Sequence, residues 1–171
     1  MNNIIEDIGE EERRLKALAE YRILGTEPES CYDDITQIAA RTCNVPISLM
    51  TLVDKDRQWF KSKVGFETKE TRRDWSFCTH AIKENNPLVV KDAFLDKRFV
   101  NNPLVKGDPK IRFYAGFPLK NNEGNKLGTL CVIDRKPGNL NEEQCSIMEL
   151  LAKQIVSFLE LRKRSLNLLD A

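Results

Sequence analysis

Cys78 and His80 stand one residue apart in the run Trp75-Ser76-Phe77-Cys78-Thr79-His80-Ala81-Ile82, and His80 is the one histidine in the chain. A thiol and an imidazole at this spacing suit haem ligation, metal binding or a nucleophile–base pair. A catalytic pair also needs a third group to orient the imidazole; Asp92 or Asp96 serves only if the fold brings one near. The plainer use is favoured: Cys78 as a buried small apolar residue, as free cysteines commonly are, and His80 capping a turn. Asp92, Asp96, Arg98 and Arg112 form a second polar cluster. Arg112 on a strand face can receive an anionic ligand through its planar fork. The same four side chains can instead pair and pin a loop, which is the commoner arrangement. Trp75, Phe77, Phe99, Phe113 and Tyr114 offer an apolar wall with a polar tip or two for a ligand pocket, or else fill a core.

These residues need a scaffold, and the clearest part of one is a hairpin. Ile111–Lys120 and Lys126–Asp134 each read with a period of two, joined by the turn residues 121–125. Ile111, Phe113, Ala115, Phe117 and Leu119 point one way; Arg112, Tyr114, Gly116 and Pro118 point the other. In the second strand Leu127, Thr129, Cys131 and Ile133 oppose Gly128, Leu130, Val132 and Asp134. Gly116 and Gly128 inside the strands mark places where a backbone or a ligand comes close. Tyr114 and Gly116 share a face, so a hollow for a small molecule is expected there.

Around the hairpin the pattern predicts a flexible stretch over 1–9 and a helix over 10–24, with Leu15, Leu18, Ala19 and Ile23 inward and Gly25 as its C-cap. A second helix opens with a carboxylate capping box at Ser30–Asp33. Strands follow at 47–53 and 58–66, a solvated loop at 67–74, and a short helix or loop at 75–84. A short strand at 88–91 and a long loop at 92–110 lead into the hairpin. Asn141 and Gln144 form the capping box of a final helix. In that helix Met148, Ala152, Ile155, Leu159, Leu166 and Leu169 keep a 4-3 spacing broken by Arg162. The stripe serves either to cover the sheet or to pair with a second copy.

With 171 residues, 41% hydrophobic and 31% charged, the chain has the make-up of one ordinary globular domain. Lys+Arg at 27 against Asp+Glu at 26 gives no electrostatic case for nucleic acid or an anionic membrane. No apolar run is long enough to span a bilayer. Five dispersed cysteines without a C-x-x-C pair read as reduced thiols in a cytoplasmic protein, with no zinc-finger spacing.

Several segments in order then resemble a GAF domain: Trp75–Ile82, Val90-Lys91-Asp92-Ala93, Asp96-Lys97-Arg98-Phe99, Asn102–Val105, Ile111–Gly116 and Leu127–Asp134. The chain looks like the type found at the N-terminus of bacterial sensor histidine kinases and diguanylate cyclases. The resemblance implies an α+β fold, a six-stranded antiparallel sheet with terminal helices on one face and a small-molecule pocket on the other. The domain would cover 10–162, with a helical extension or tail at 163–171. It further implies a non-catalytic sensory module in signal transduction, a homodimer through its terminal helices, and a downstream kinase or cyclase domain as output. Cofactor and ligand identity stay open. Candidate pocket residues are Trp75, Phe77, Cys78, His80, Asp92, Phe99, Arg112, Tyr114 and Gly116. Two alternatives share the fold: a thiol-dependent free methionine sulfoxide reductase, and a dimerisation domain without a ligand. The familiar signatures of cyclic-nucleotide and bilin binding are missing, and so is the familiar cysteine spacing of the reductases.

Overall fold

The structure, a computed structural model, describes residues 2–171. Its elements run α1 (Asn2–Glu20), α2 (Ser30–Cys43), β1 (Ile47–Val53), β2 (Arg57–Val64), β3 (Glu70–Arg72), α3 (Phe77–Ala81), β4 (Leu88–Val90), α4 (Pro103–Lys106), β5 (Phe113–Lys120), β6 (Lys126–Asp134) and α5 (Glu142–Leu169). The six strands form one antiparallel sheet in the order β3-β2-β1-β6-β5-β4. Two separate apolar cores lie on its two faces.

Period-two alternation assigns the residues of the hairpin to these cores. Phe113, Ala115, Phe117 and Leu119 face the helices, whereas Tyr114 faces the opposite side. On β6, Leu130 and Val132 face the helices while Cys131 and Ile133 face away. Ile111 and Leu127 depart from the expected alternation: Ile111 precedes the strand and packs in the opposite core, with Tyr114. The register shifts between Pro118 and Lys120, and the extra residue on β6 turns Leu127 toward the helices. The turn is held by Asn121, whose Oδ1 accepts from the backbone N–H of Glu123 and of Asn125 at 3.1 and 2.9 Å.

Helices α1, α2 and α5 cover one face. Tyr32, Ile35, Ala39 and Cys43 of α2 and Met148, Ala152, Ile155 and Leu159 of α5 are all buried in the same core. The 4-3 stripe of α5 therefore belongs, over 148–159, to the domain's own interior rather than to a partner. Arg162 breaks the stripe because its Nε and Nη2 donate to the carbonyls of Tyr21 and Arg22 at 2.8 and 2.7 Å. These carbonyls lie just past the C-terminal end of α1, where carbonyls lack intrahelical partners. The Asn141–Gln144 capping box is present, and the helix continues unbroken through 163–169.

Other local expectations are corrected. Asn2–Gly9 lies within α1, ahead of the expected start at Glu10; Met1, also assigned to a flexible stretch, lies outside the described residues. The buried stripe of α1 is Arg14, Ala17 and Leu18, with Ala19 exposed. The helix ends at Glu20, and Arg22, not Gly25, is the first residue with left-handed backbone. The capping box at Ser30 is absent: Glu29 is the N-cap without a side-chain bond, and Asp33 accepts from Ser62 Oγ at 2.5 Å instead. The 67–74 loop contains β3, a three-residue edge strand whose mixed charges hide its pairing with β2. None of the described helices is long and apolar enough to cross a membrane.

Candidate functional site

On the face opposite the helices, where the sequence predicts a pocket, side chains fill the space. Phe77 of α3 stacks on Phe99, with ring centroids 4.0 Å apart and planes 9° apart. Phe77 also lies 5.0 Å from the Tyr114 ring. Phe77, Phe99 and Tyr114 are each at most 2% exposed. Among them lies a cavity of about 20 Å³ whose lining includes Phe77, Cys78, Tyr114, Cys131 and Ile133; a wider surface cleft beside it is bordered by Phe66, Thr71, Trp75 and Leu104. The volume of the cavity is close to what one water needs.

The two strand glycines explain the closure. A Cβ on Gly116 would stand 2.2 Å from Tyr114 Oη and 2.7 Å from Cζ. The phenol of Tyr114 thus lies folded over Gly116, occupying the expected hollow. At Gly128 a Cβ would stand 1.9 Å from the carbonyl oxygen of Thr51. Here the glycine admits the backbone of β1, not a ligand.

Cys78 and His80 do not meet. Two residues on a helix are separated by about 200° of rotation, so Cys78 points into the core while His80 points outward. The His80 ring packs edge-on to Phe99 at 5.0 Å. Partial burial, with Lys83 and Arg98 nearby, lowers its pKa, against the opposing pull of Asp96. No nucleophile–base pair exists in this geometry.

Cys78 instead joins a buried cluster that its sequence neighbours do not announce. Its Sγ lies 3.2 Å from Tyr114 Oη and 3.1 Å from Thr129 Oγ1. Thr129 Oγ1 is in turn 3.0 Å from Thr51 Oγ1. Cys131 also lines the cavity. Burial disfavours charge on both thiols, but hydrogen bonds from Cys131, Thr129, Thr51 and Tyr114 draw the pKa of Cys78 below its ordinary value. Burial and the bond to Cys78 push Cys131 up. The shared face of Thr129 and Cys131 in the β6 alternation is the available sequence signal for this cluster.

The remaining candidates hold loops. Trp75 ends a 3-10 turn (Arg73–Trp75), with the Arg72 guanidinium 5.5 Å from its ring centre. Its carbonyl accepts from Asn102 Nδ2 at 2.9 Å. Asp92 caps a second 3-10 turn (Ala93–Leu95) by accepting from Phe94 N–H at 3.0 Å. Asp96 pairs with Arg98 at 2.7 Å. Arg112 takes no part in that pair: its Nη1 donates to the carbonyls of Val105 and Ile111, each at 2.9 Å. Its guanidinium sits 3.4 Å from the centre of the Phe94 ring. The polar cluster is thus three separate loop fastenings, and it does not converge on a site.

With two-sided sheet, covering helices and closed face in place, comparison with known proteins decides the family. The GAF domain family model matches residues 27–158. This chain belongs to the GAF domain family. It is 41% identical over 143 residues to a cyclic di-GMP phosphodiesterase of Pseudomonas aeruginosa strain PAO1, covering 83% of this chain. The match spans 24% of the relative's length, so the chain corresponds to about a quarter of that larger protein. Solved structures share the GAF fold at low identity. A domain of a two-component sensor histidine kinase protein from Sinorhizobium meliloti 1021 superposes with TM-score 0.61 at 15% identity, over 84% of this chain and 97% of that one. Free methionine-R-sulfoxide reductase from Neisseria meningitidis, in complex with its substrate, gives 0.64 at 14% identity, over 85% and 87%. Both likenesses establish the fold alone.

Proposed function

We propose that this GAF domain is a non-catalytic regulatory module of a bacterial signalling protein, dimeric through α1 and α5. The observation that carries this reading is the contrast between its two faces. The expected pocket is packed to about 20 Å³, which leaves no room for an amino-acid-sized substrate. The other face instead ties α5 to the end of α1 at three points: Arg162 to the Tyr21 and Arg22 carbonyls, Glu160 to Tyr21 Oη, and Lys163 to Glu20 at 2.8 Å. A displacement of α1 would therefore be passed to α5 through these ties.

Ile4, Ile5 and Ile8 of α1 and Leu161 and Leu168 of α5 are all more than half exposed, and they supply the apolar surface for a second copy. A small-molecule stimulus would enter by parting the Phe77–Phe99 stack and displacing α3 against β5 and β6. By analogy with the long Pseudomonas relative, the output would be an attached catalytic domain, a cyclic di-GMP enzyme or a kinase, in the cytoplasm.

Light scattering across a concentration series tests the reading, together with native mass spectrometry. A concentration-dependent dimer that Ile5→Lys with Leu161→Lys converts to monomer is expected, with no methionine sulfoxide turnover. A monomer at every concentration removes the helix pairing. Turnover lost in Cys78→Ser replaces the regulatory reading with a reductase.

A further inference from the structure

The thiols of Cys78 and Cys131 border one cavity from different elements, α3 and β6. Among the described residues, no charged side chain lines it. Its volume of about 20 Å³ admits a molecule little larger than water. Free methionine sulfoxide and the usual thiol reagents are far too large. An apolar wall also favours an uncharged visitor, because burying an ion there is costly. Two hydroxyls, from Tyr114 and Thr129, stand within 3.2 and 3.1 Å of the Cys78 sulfur, placed to exchange protons with whatever reacts there.

We propose that Cys78 and Cys131 form a dithiol site for hydrogen peroxide, a neutral reactant of the size this cavity accepts. Cys78 attacks one peroxide oxygen as its proton passes through the neighbouring hydroxyls to the other oxygen. The O–O bond breaks, and the second oxygen leaves with that proton as water. Cys78 is now a sulfenic acid. The sulfur of Cys131 attacks it, the S–O bond breaks and the S–S bond forms; the departing hydroxyl carries away the Cys131 proton as a second water. Two thiols and one peroxide thus yield a disulfide and two waters, with the thiols supplying both electrons. The attacking role falls to Cys78 because two hydroxyls stand against its sulfur, and Cys131, which lines the same cavity, resolves. The disulfide would staple α3 to the central strand β6.

Selectivity is the test. The reduced chain is exposed to graded hydrogen peroxide, quenched with an alkylating agent in denaturant, and mapped by peptide mass spectrometry. The Cys78–Cys131 linked peptide is expected to form first, with one peroxide consumed per chain. It should precede oxidation of Cys31 and Cys145, which are more exposed. In Cys131→Ser, unfolding the oxidised chain in denaturant with dimedone present should trap Cys78 as a sulfenic acid. In Thr129→Val, oxidation of Cys78 should slow by about fivefold, the worth of one hydrogen bond. Oxidation of Cys31 and Cys145 with Cys78 still reduced would overturn the proposal. So would equal Cys78 rates in the native chain and in Thr129→Val. The proposal is independent of the regulatory reading, since oligomeric state and this chemistry are read separately.

Discussion

Gly116→Ala should destabilise the domain through a single neighbour, and that neighbour can be removed. The new methyl would stand 2.2–2.8 Å from three atoms of the Tyr114 phenol, which is 1% exposed. Overpacking of this kind costs about 1–3 kcal/mol. Tyr114→Val alone should cost about 3 kcal/mol by leaving a cavity. In the double variant the added methyl enters space that the phenol vacated. Its cost should then be about 1–3 kcal/mol less than the sum of the two single changes. Urea denaturation of the four proteins, at unchanged m-value, measures the coupling. Gly128→Ala is the control without a rescue, because its methyl meets the backbone carbonyl of Thr51 at 1.9 Å. Additivity within about 0.5 kcal/mol for the Gly116–Tyr114 pair would refute the claim that Tyr114 occupies the hollow.

Two further outcomes follow from the helix layer. Burial opposes ionisation of Glu11, but hydrogen bonds from Arg14 and Arg73 outweigh it and pull the pKa from 4.5 to about 2. A depressed folded-state pKa means that its stabilisation is complete above about pH 4.5 and is lost as pH falls toward 2. Glu11→Gln should therefore lower stability at pH 7 by about 1 kcal/mol, a figure discounted for solvent screening. It should also flatten the thermal melting profile between those limits, and an unchanged profile would count against the Glu11 bridge. Arg162→Ala removes both donors from the Tyr21 and Arg22 carbonyls. It should cost about 1–2 kcal/mol and speed amide exchange in α5 beyond Leu159; exchange unchanged there would show that Arg162 does not fasten the helix.

The architecture is legible in the sequence because burial writes itself into alternation. Phe113, Ala115 and Phe117 against Tyr114 give both faces of β5, and the Asn141–Gln144 box marks the start of α5 correctly. The site is less legible for specific reasons. A glycine in a strand signals close approach without naming what approaches, so Gly116 and Gly128 look alike. One accommodates its neighbour's ring and the other a crossing backbone. A 4-3 stripe is the same whether it meets a sheet or a second helix, which leaves Met148 to Leu159 undecided. Arg162 looks like a flaw in that stripe because its partners are carbonyls, and carbonyls have no sequence signature. Cys78 and His80 look like a pair only until the helix that carries them sets their directions.

The strand order carries a consequence for how the molecule comes into being. The central ladder joins β1 to β6, with Ile47 opposite Ile133 and Leu52 opposite Gly128. These partners come from opposite ends of the sheet-forming sequence, so the middle of the sheet is the last part that can close. Contacts of such long sequence separation slow folding, because loop closure precedes any gain from pairing. While the ribosome is making residues 65–125, β1 has only β2 beside it and its other edge lies open. An open, largely apolar edge is a template for wrong pairing. The nascent chain is thus most exposed to aggregation just before Lys126–Asp134 emerges, and β6 closes the sheet by inserting between strands already made.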